Sequence, residues 1–219
     1  MVSISHVVED LVKHRPYLSE ALAAGIINVS SLARQLQPSV EKVLMREVNT
    51  GAIVMALNRL APYLQVRDQV QLNKMLGGMS DIILRSNLCD YTFKNSPTLL
   101  DCHIEVLKHL SKNDDIFYTM VQGVFETNLV ISATMEHWVT EFFRNETCLF
   151  EQRGLSSVTL KLPKGNSVQA GFYYTIMKEL SWEGINLTEV ISSTNEFTVV
   201  VDNAFIDKTF VVLKNIGKK

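Results

Sequence analysis

The sequence predicts an α+β protein: a helical N-terminal domain, residues 1–78, followed by two units of the order βαββαβ, residues 79–152 and 153–219. Three observations predict it. Up to about Leu76, apolar residues recur at helical spacing and no alternating run is long enough for a strand. Gly77-Gly78 then punctuates the chain, and β-type residues follow. From there one order of strands and helices occurs twice, the mark of an internal duplication.

In the N-terminal part, Ser5 is expected to cap a helix carrying Val8, Leu11 and Val12, and Pro16 either kinks it or starts a second helix running to Gly25. Asn28 or Ser30 caps the stretch Ser31 to Leu36. Pro38 suits the first turn of a further helix with Val40, Val43 and Leu44 inward. Asn49 or Thr50 then caps a helix from Gly51 to Leu60, which is expected to stop around Pro62.

The first βαββαβ unit reads as a strand from Asp81 to Phe93, the turn Asn95-Ser96-Pro97, and a helix with Leu100, Ile104, Leu107 and Leu110 on one face. Strands Asp115–Val121 and Val124–Ile131 and a helix capped by Thr134 follow. The second unit repeats this order. Ser157–Leu162 is its strand, Val168–Leu180 its helix, Ile185–Ile191 and Glu196–Val201 its next strands, and Asp202 caps a last helix ended by Gly217. Thr127-Asn128 and Thr194-Asn195, 67 residues apart, are read as openings of equivalent strands.

Composition removes several function classes. A hydrophobic fraction of 47% in 219 residues predicts folded cores rather than disorder. No basic start with an apolar run marks a signal peptide, and no uncharged stretch approaches the roughly 18 apolar residues of a membrane span, so a cytoplasmic chain without membrane contact is expected. Cys89, Cys102 and Cys148 fit neither a disulfide framework nor a zinc CxxC pair. His103 and His109 share a helix at a spacing that does not put two ligands on one face. No metal and no cofactor are therefore expected. A nucleophile elbow, an HExxH helix and a P-loop are all missing, so no catalytic residue is assigned and the chain is expected to be non-enzymatic. A net charge of -2 argues against coating nucleic acid by bulk charge, although residues 1–78 are slightly basic and the remainder acidic.

Three segments of the second unit carry a resemblance: Leu162-Pro163-Lys164-Gly165-Asn166-Ser167, Gly184-Ile185-Asn186-Leu187, and Ile191 to Val201. Together they are similar to the C-terminal regulatory ACT units of aspartate kinases, which have a ferredoxin-like fold. The resemblance implies two ACT-like units paired side by side and an amino acid held where a first loop and helix start face a partner's second strand. Carried onto this chain, the ligand-binding residues are Lys164, Gly165, Asn166, Ser167, Val168, Gln169, Ile185, Asn186 and Leu187. Free amides at the helix start would welcome a carboxylate, and Gly165 would let it approach the backbone. The first copy departs from the pattern, since its turn Asn95-Ser96-Pro97-Thr98 has no glycine. The kinase catalytic portion has no counterpart in the chain.

Ser31 to Leu60 resembles the helix-turn-helix or winged-helix modules fused to ligand-sensing domains. That resemblance implies a groove helix from Thr50 to Arg59, with Arg34, Arg46, Thr50, Asn58 and Arg59 as DNA contacts. Against it, Ile53 to Leu57 are core-type residues and only Arg59 brings positive charge to that helix. The function expected is a non-catalytic, amino-acid-responsive regulator, possible partners being DNA or a biosynthetic enzyme such as an aspartate kinase. A homodimer is expected, because exposed edges of such units usually pair.

Overall fold

In a computed structural model, residues 2–67, 81–110, 115–163 and 171–216 are described. The expected punctuation at Gly77-Gly78, the turn and helix start Lys164 to Gln169, and the stop at Gly217 lie outside them. The chain divides into two compact units, residues 1–74 and 75–219. Among the described residues no helix is long and apolar enough to cross a membrane.

The N-terminal unit has four helices: α1 (Ile4–Lys13), α2 (Pro16–Ala23), α3 (Val29–Leu44) and α4 (Thr50–Arg67). Ser3, not Ser5, caps α1, its Oγ accepting from the amide of His6 at 3.2 Å. Pro16 opens α2, where its missing N–H costs nothing. Asn28 caps α3 through the amide of Ser31 at 2.9 Å. Both interior prolines were expected to bound helices, and neither does. Pro38 lies inside α3 and Pro62 inside α4. An interior proline disfavours a helix by about 3 kcal/mol. Here both are exposed, so the carbonyls they leave unpaired stay in water. The buried stripes run past them: Leu32, Ala33, Leu36 and Val40 in α3, and Ile53, Ala56, Leu57 and Leu60 with half-buried Leu64 in α4. Burying each large side chain is worth roughly 1.5–3 kcal/mol, which outweighs the lost bond.

The turn between α3 and α4 is pinned by two side chains of α3. Gln37 donates to the carbonyl of Val48 at 3.0 Å and accepts from the Thr50 hydroxyl at 2.7 Å. Glu41 accepts from the Val48 amide at 3.1 Å.

The second unit is one antiparallel sheet with helices. Its elements are β1 (Ile82–Lys94), α5 (Leu99–Leu110), β2 (Tyr118–Gln122), β3 (Glu126–Ser132), α6 (Glu136–Phe142), β4 (Cys148–Lys161), α7 (Phe172–Trp182), β5 (Glu189–Ser192), β6 (Glu196–Asp202) and α8 (Ile206–Asn215). Strand order is β2-β3-β1-β4-β6-β5.

The central pair is longer than the sequence suggested. β4 starts at Cys148 rather than Ser157, so position 152, expected to end one unit, lies within a strand. Residues 148–153 lack clean alternation, and they become a strand because β1 supplies a partner. β1 and β4 each serve both halves of the sheet. The segment Leu88–Lys94 lies between β3 and the start of β4, while Ile82–Arg85 pairs with Ser157–Leu160, beside β6. Each half therefore takes its outermost central strand from the other half's long strand. A bulge sits in each at corresponding places, with left-handed backbone at Asn87 (φ 57°) and Gly154 (φ 71°).

Strand alternation gives the sheet two faces. On one, Cys89, Tyr91, Phe93, Leu129 and Ile131 pack under Leu99 and Val106 of α5 and Val139 of α6. On the other, Leu88, Val130, Leu155 and Val200 are fully buried together, and among the described residues no helix contributes to their cluster.

Register corrects one expected equivalence. Glu126 pairs with Lys94 as Glu196 pairs with Lys161, so β3 and β6 correspond at a separation of 70 and β1 and β4 at 67. Thr127-Asn128 lie in β3, whereas Thr194-Asn195 lie in the turn before β6. Their identity is coincidental.

Candidate functional site

Asn128 of β3 donates to Asp90 Oδ1 on the neighbouring β1 at 2.7 Å and to Glu189 Oε1 on β5 at 3.1 Å. β3 and β5 are separated in the sheet by three strands, a flat distance of about 19 Å. No pair of side chains spans that distance. The sheet must therefore fold across the face of the Leu88–Val130–Leu155–Val200 core, bringing its two halves together over it.

Beside this core opens a cleft of about 630 Å³. Its floor has Asp90 and Thr92 from β1 and Gln152 from β4. Its far wall is the segment Asn186 to Glu189, which leads into β5, and Asp202 at the end of β6. Phe150 and Phe205 supply apolar sides. Three carboxylates thus line the cleft, with no Lys, Arg or His among the described lining residues.

Burial raises the pKa of two of them. Asp90 is 1% exposed, and burial pushes its carboxyl above the ordinary value, opposed by the Asn128 hydrogen bond. Glu189 is also pushed up, first by burial and then by repulsion from Asp90 and Glu126. A cation placed between them would reverse both shifts. The arrangement suits recognition of an ammonium group. Among the described lining residues no nucleophile is paired with a base, and among the described residues no group of His, Cys, Asp or Glu could hold a metal ion.

Of the ligand residues carried over from the resemblance, Lys164 to Gln169 lie outside the described residues. Ile185 is buried and not part of a strand: it closes the end of α7, its amide donating to the carbonyl of Leu180 at 3.1 Å while Gly184 adopts φ 66°. The expected strand Ile185–Ile191 therefore begins only at Glu189, because this helix-closing motif holds Ile185. Asn186 and Leu187 do line the cleft. The sequence reading does not assign Asp90, Gln152, Glu189 or Asp202 to a site, and the one available signal is an aspartate in the middle of the apolar run Leu88-Cys89-Asp90-Tyr91.

The corresponding turn of the first half is closed by its own side chains. Ser96 caps α5 through the amide of Leu99 at 3.1 Å, and Asn95 donates to the Gly123 carbonyl at 2.9 Å. Glu146, from the loop after α6, accepts from the hydroxyls of Ser96 and Thr98, both at 2.6 Å.

In the N-terminal unit, Arg34, Arg46, Asn58 and Arg59 are exposed. The Thr50 hydroxyl is bound to Gln37.

No family model matches the chain, and no curated protein matches it. Solved structures do. The Clostridium acetobutylicum aspartate kinase is similar at 16% identity and a TM-score of 0.52, over 64% of this chain and 35% of that one. The Synechocystis aspartate kinase gives 10% and 0.53, over 64% and 27%. This chain thus spans about a third of the length of those enzymes. The ligand-free regulatory subunit of aspartate kinase from Thermus thermophilus gives 10% and 0.50, over 63% of this chain and 97% of that one. The covered share is close to the size of residues 75–219. By fold, the chain is similar to the regulatory regions of aspartate kinases.

Proposed function

We propose that this is a non-catalytic regulatory protein that responds to a small amino acid. The observation that carries the reading is the acidic cleft, which contains the two carried-over residues Asn186 and Leu187 beside three carboxylates. The ammonium group would meet Asp90 and Glu189 beside the Asn128 amide that bridges them, hydrogen-bonded further by Asn186. The carboxylate would meet the backbone amides of Asn166 to Gln169. On this reading the sheet is two ferredoxin-like ACT units that exchange their outermost strands. A ligand bridging the Asn186–Glu189 wall and the β1–β4 floor would favour one arrangement of the two halves over another, and only that difference in affinity does work.

Calorimetry against the full set of amino acids tests the proposal. One or a few small amino acids should bind, Asn186→Ala should weaken binding by about 1 kcal/mol, and Gly165→Val should abolish it. No binding at millimolar concentration, or binding that survives both substitutions, would overturn it.

The output has two forms. The α3–α4 pair with its pinned turn, exposing Arg34, Arg46, Asn58 and Arg59, favours a helix-turn-helix module and a transcriptional regulator. The size match to an isolated regulatory subunit favours docking on a biosynthetic enzyme. Binding to DNA fragments against co-purification with an enzyme separates them.

A further inference from the structure

Register makes the two halves of the sheet comparable residue by residue, and from β3 and β6 onward the separation is 70. The short 3-10 turns Ala133–Met135 and Asn203–Phe205 keep it. The helix starts Glu136 and Ile206 keep it as well, and although α6 ends at Phe142 and α8 runs on to Asn215, so do two later backbone bonds, from the amide of Glu146 to the carbonyl of Phe143 at 2.8 Å and from that of Ile216 to Leu213 at 3.4 Å. Glu146 thus holds in the first half the place that Ile216 holds in the second.

The two residues could hardly differ more in chemistry. Glu146 Oε2 accepts from Ser96 Oγ at 2.6 Å, and Oε1 accepts from Thr98 Oγ1 at 2.6 Å and from the Cys102 thiol at 3.7 Å. Ser96 Oγ in turn accepts from the amide of Leu99, the first residue of α5. Every one of these donors belongs to the turn before α5 or to its first turn. Ile216 is buried, and its apolar side chain carries no oxygen. The first half carries a carboxylate where the second half brings none from that position.

We propose that Glu146 is a built-in ligand: its carboxylate fills the carboxylate seat at the start of α5, leaving amino-acid sensing to the second half, where the equivalent Ile216 brings no carboxylate. The statement about the second half rests on the amino-acid reading above. The statement about the first does not. It makes the duplication functionally asymmetric, one half being locked by its own chain and the other responsive.

Chemical rescue tests it on the full chain. Glu146→Ala should lower the melting temperature, and acetate or formate, against chloride of equal ionic strength, should raise it saturably and by more than in the wild type. Adding Ser96→Ala should remove the extra gain. If Glu146→Ala does not fold in chloride, folded protein recovered in acetate alone is the same support. An acetate gain no larger than in the wild type, or no folding in either salt, overturns the proposal. Calorimetry with an amino acid that binds should count one site per wild-type chain, and two would overturn the asymmetry. If no amino acid binds, the sensing reading fails while the acetate result still decides on Glu146.

Discussion

Asp90 is the residue whose chemistry is least at home in its surroundings. It is fully buried on the face of the Leu88–Val130–Leu155–Val200 core, and its carboxyl titrates above the ordinary range because burial disfavours its charge. A carboxyl raised in the folded state binds its proton more readily there than in the unfolded chain, so its contribution to stability falls as pH rises through the folded pKa. Asp90→Asn keeps an oxygen for Asn128 and removes the charge. The variant should be more stable than wild type at neutral pH, by on the order of 1 kcal/mol, with the difference closing as pH is lowered. Urea unfolding at several pH values checks this, and a neutral-pH loss would mean that the charge is compensated. Glu146 has the opposite sign: hydrogen bonds from Ser96 and then Thr98 hold its carboxyl below the ordinary value, so its contribution is present at neutral pH and lost as pH falls through the folded pKa.

Among the elements, the paired strands β1 and β4 decide how the halves meet. Each bends at a bulge, and the bulged residues Asn87 and Gly154 occupy corresponding positions with positive φ. Asparagine tolerates that conformation and glycine adopts it freely. At Gly154 an added methyl would approach nothing closer than the Asn203 side-chain nitrogen at 3.9 Å, so only the backbone would resist it. Gly154→Ala should therefore destabilise by about 1 kcal/mol in denaturant unfolding. A neutral result would show that the bulge relaxes. The helical elements were more legible in the sequence than the strands, because a helix is signalled by its own neighbours at i+3 and i+4. Even there, Pro38 and Pro62 misled, since local cost is visible in sequence and the burial that outweighs it is not.

At the scale of the molecule, apolar surface remains uncovered. Leu100, Ile104 and Leu107 recur along α5 with 57%, 43% and 43% of their surface exposed, and β2 and β5 are the terminal strands of the sheet. Such surface predicts self-association. Light scattering across micromolar concentrations should find a homodimer, and a strict monomer would leave these faces to another partner. Tyr173 and Tyr174, from the apolar stretch expected to pair, are each 38% exposed on α7, while Phe172 and Ile176 of the same stretch are core.

The sequence by itself determined the helical N-terminal part, the order of strands and helices beyond it, and the fact of duplication, because hydrophobic period and turn chemistry are properties of adjacent residues. Through resemblance it pointed to Asn186 and Leu187, which line the cleft. Only the tertiary structure decided where β4 begins, which strand each half takes from the other, the true spacing of the repeat, and the meeting of Asp90, Asn128 and Glu189. Those depend on which strand lies beside which and on how far the sheet folds. An alternating pattern says that a strand has two faces, and nothing in it names the strand that will lie alongside.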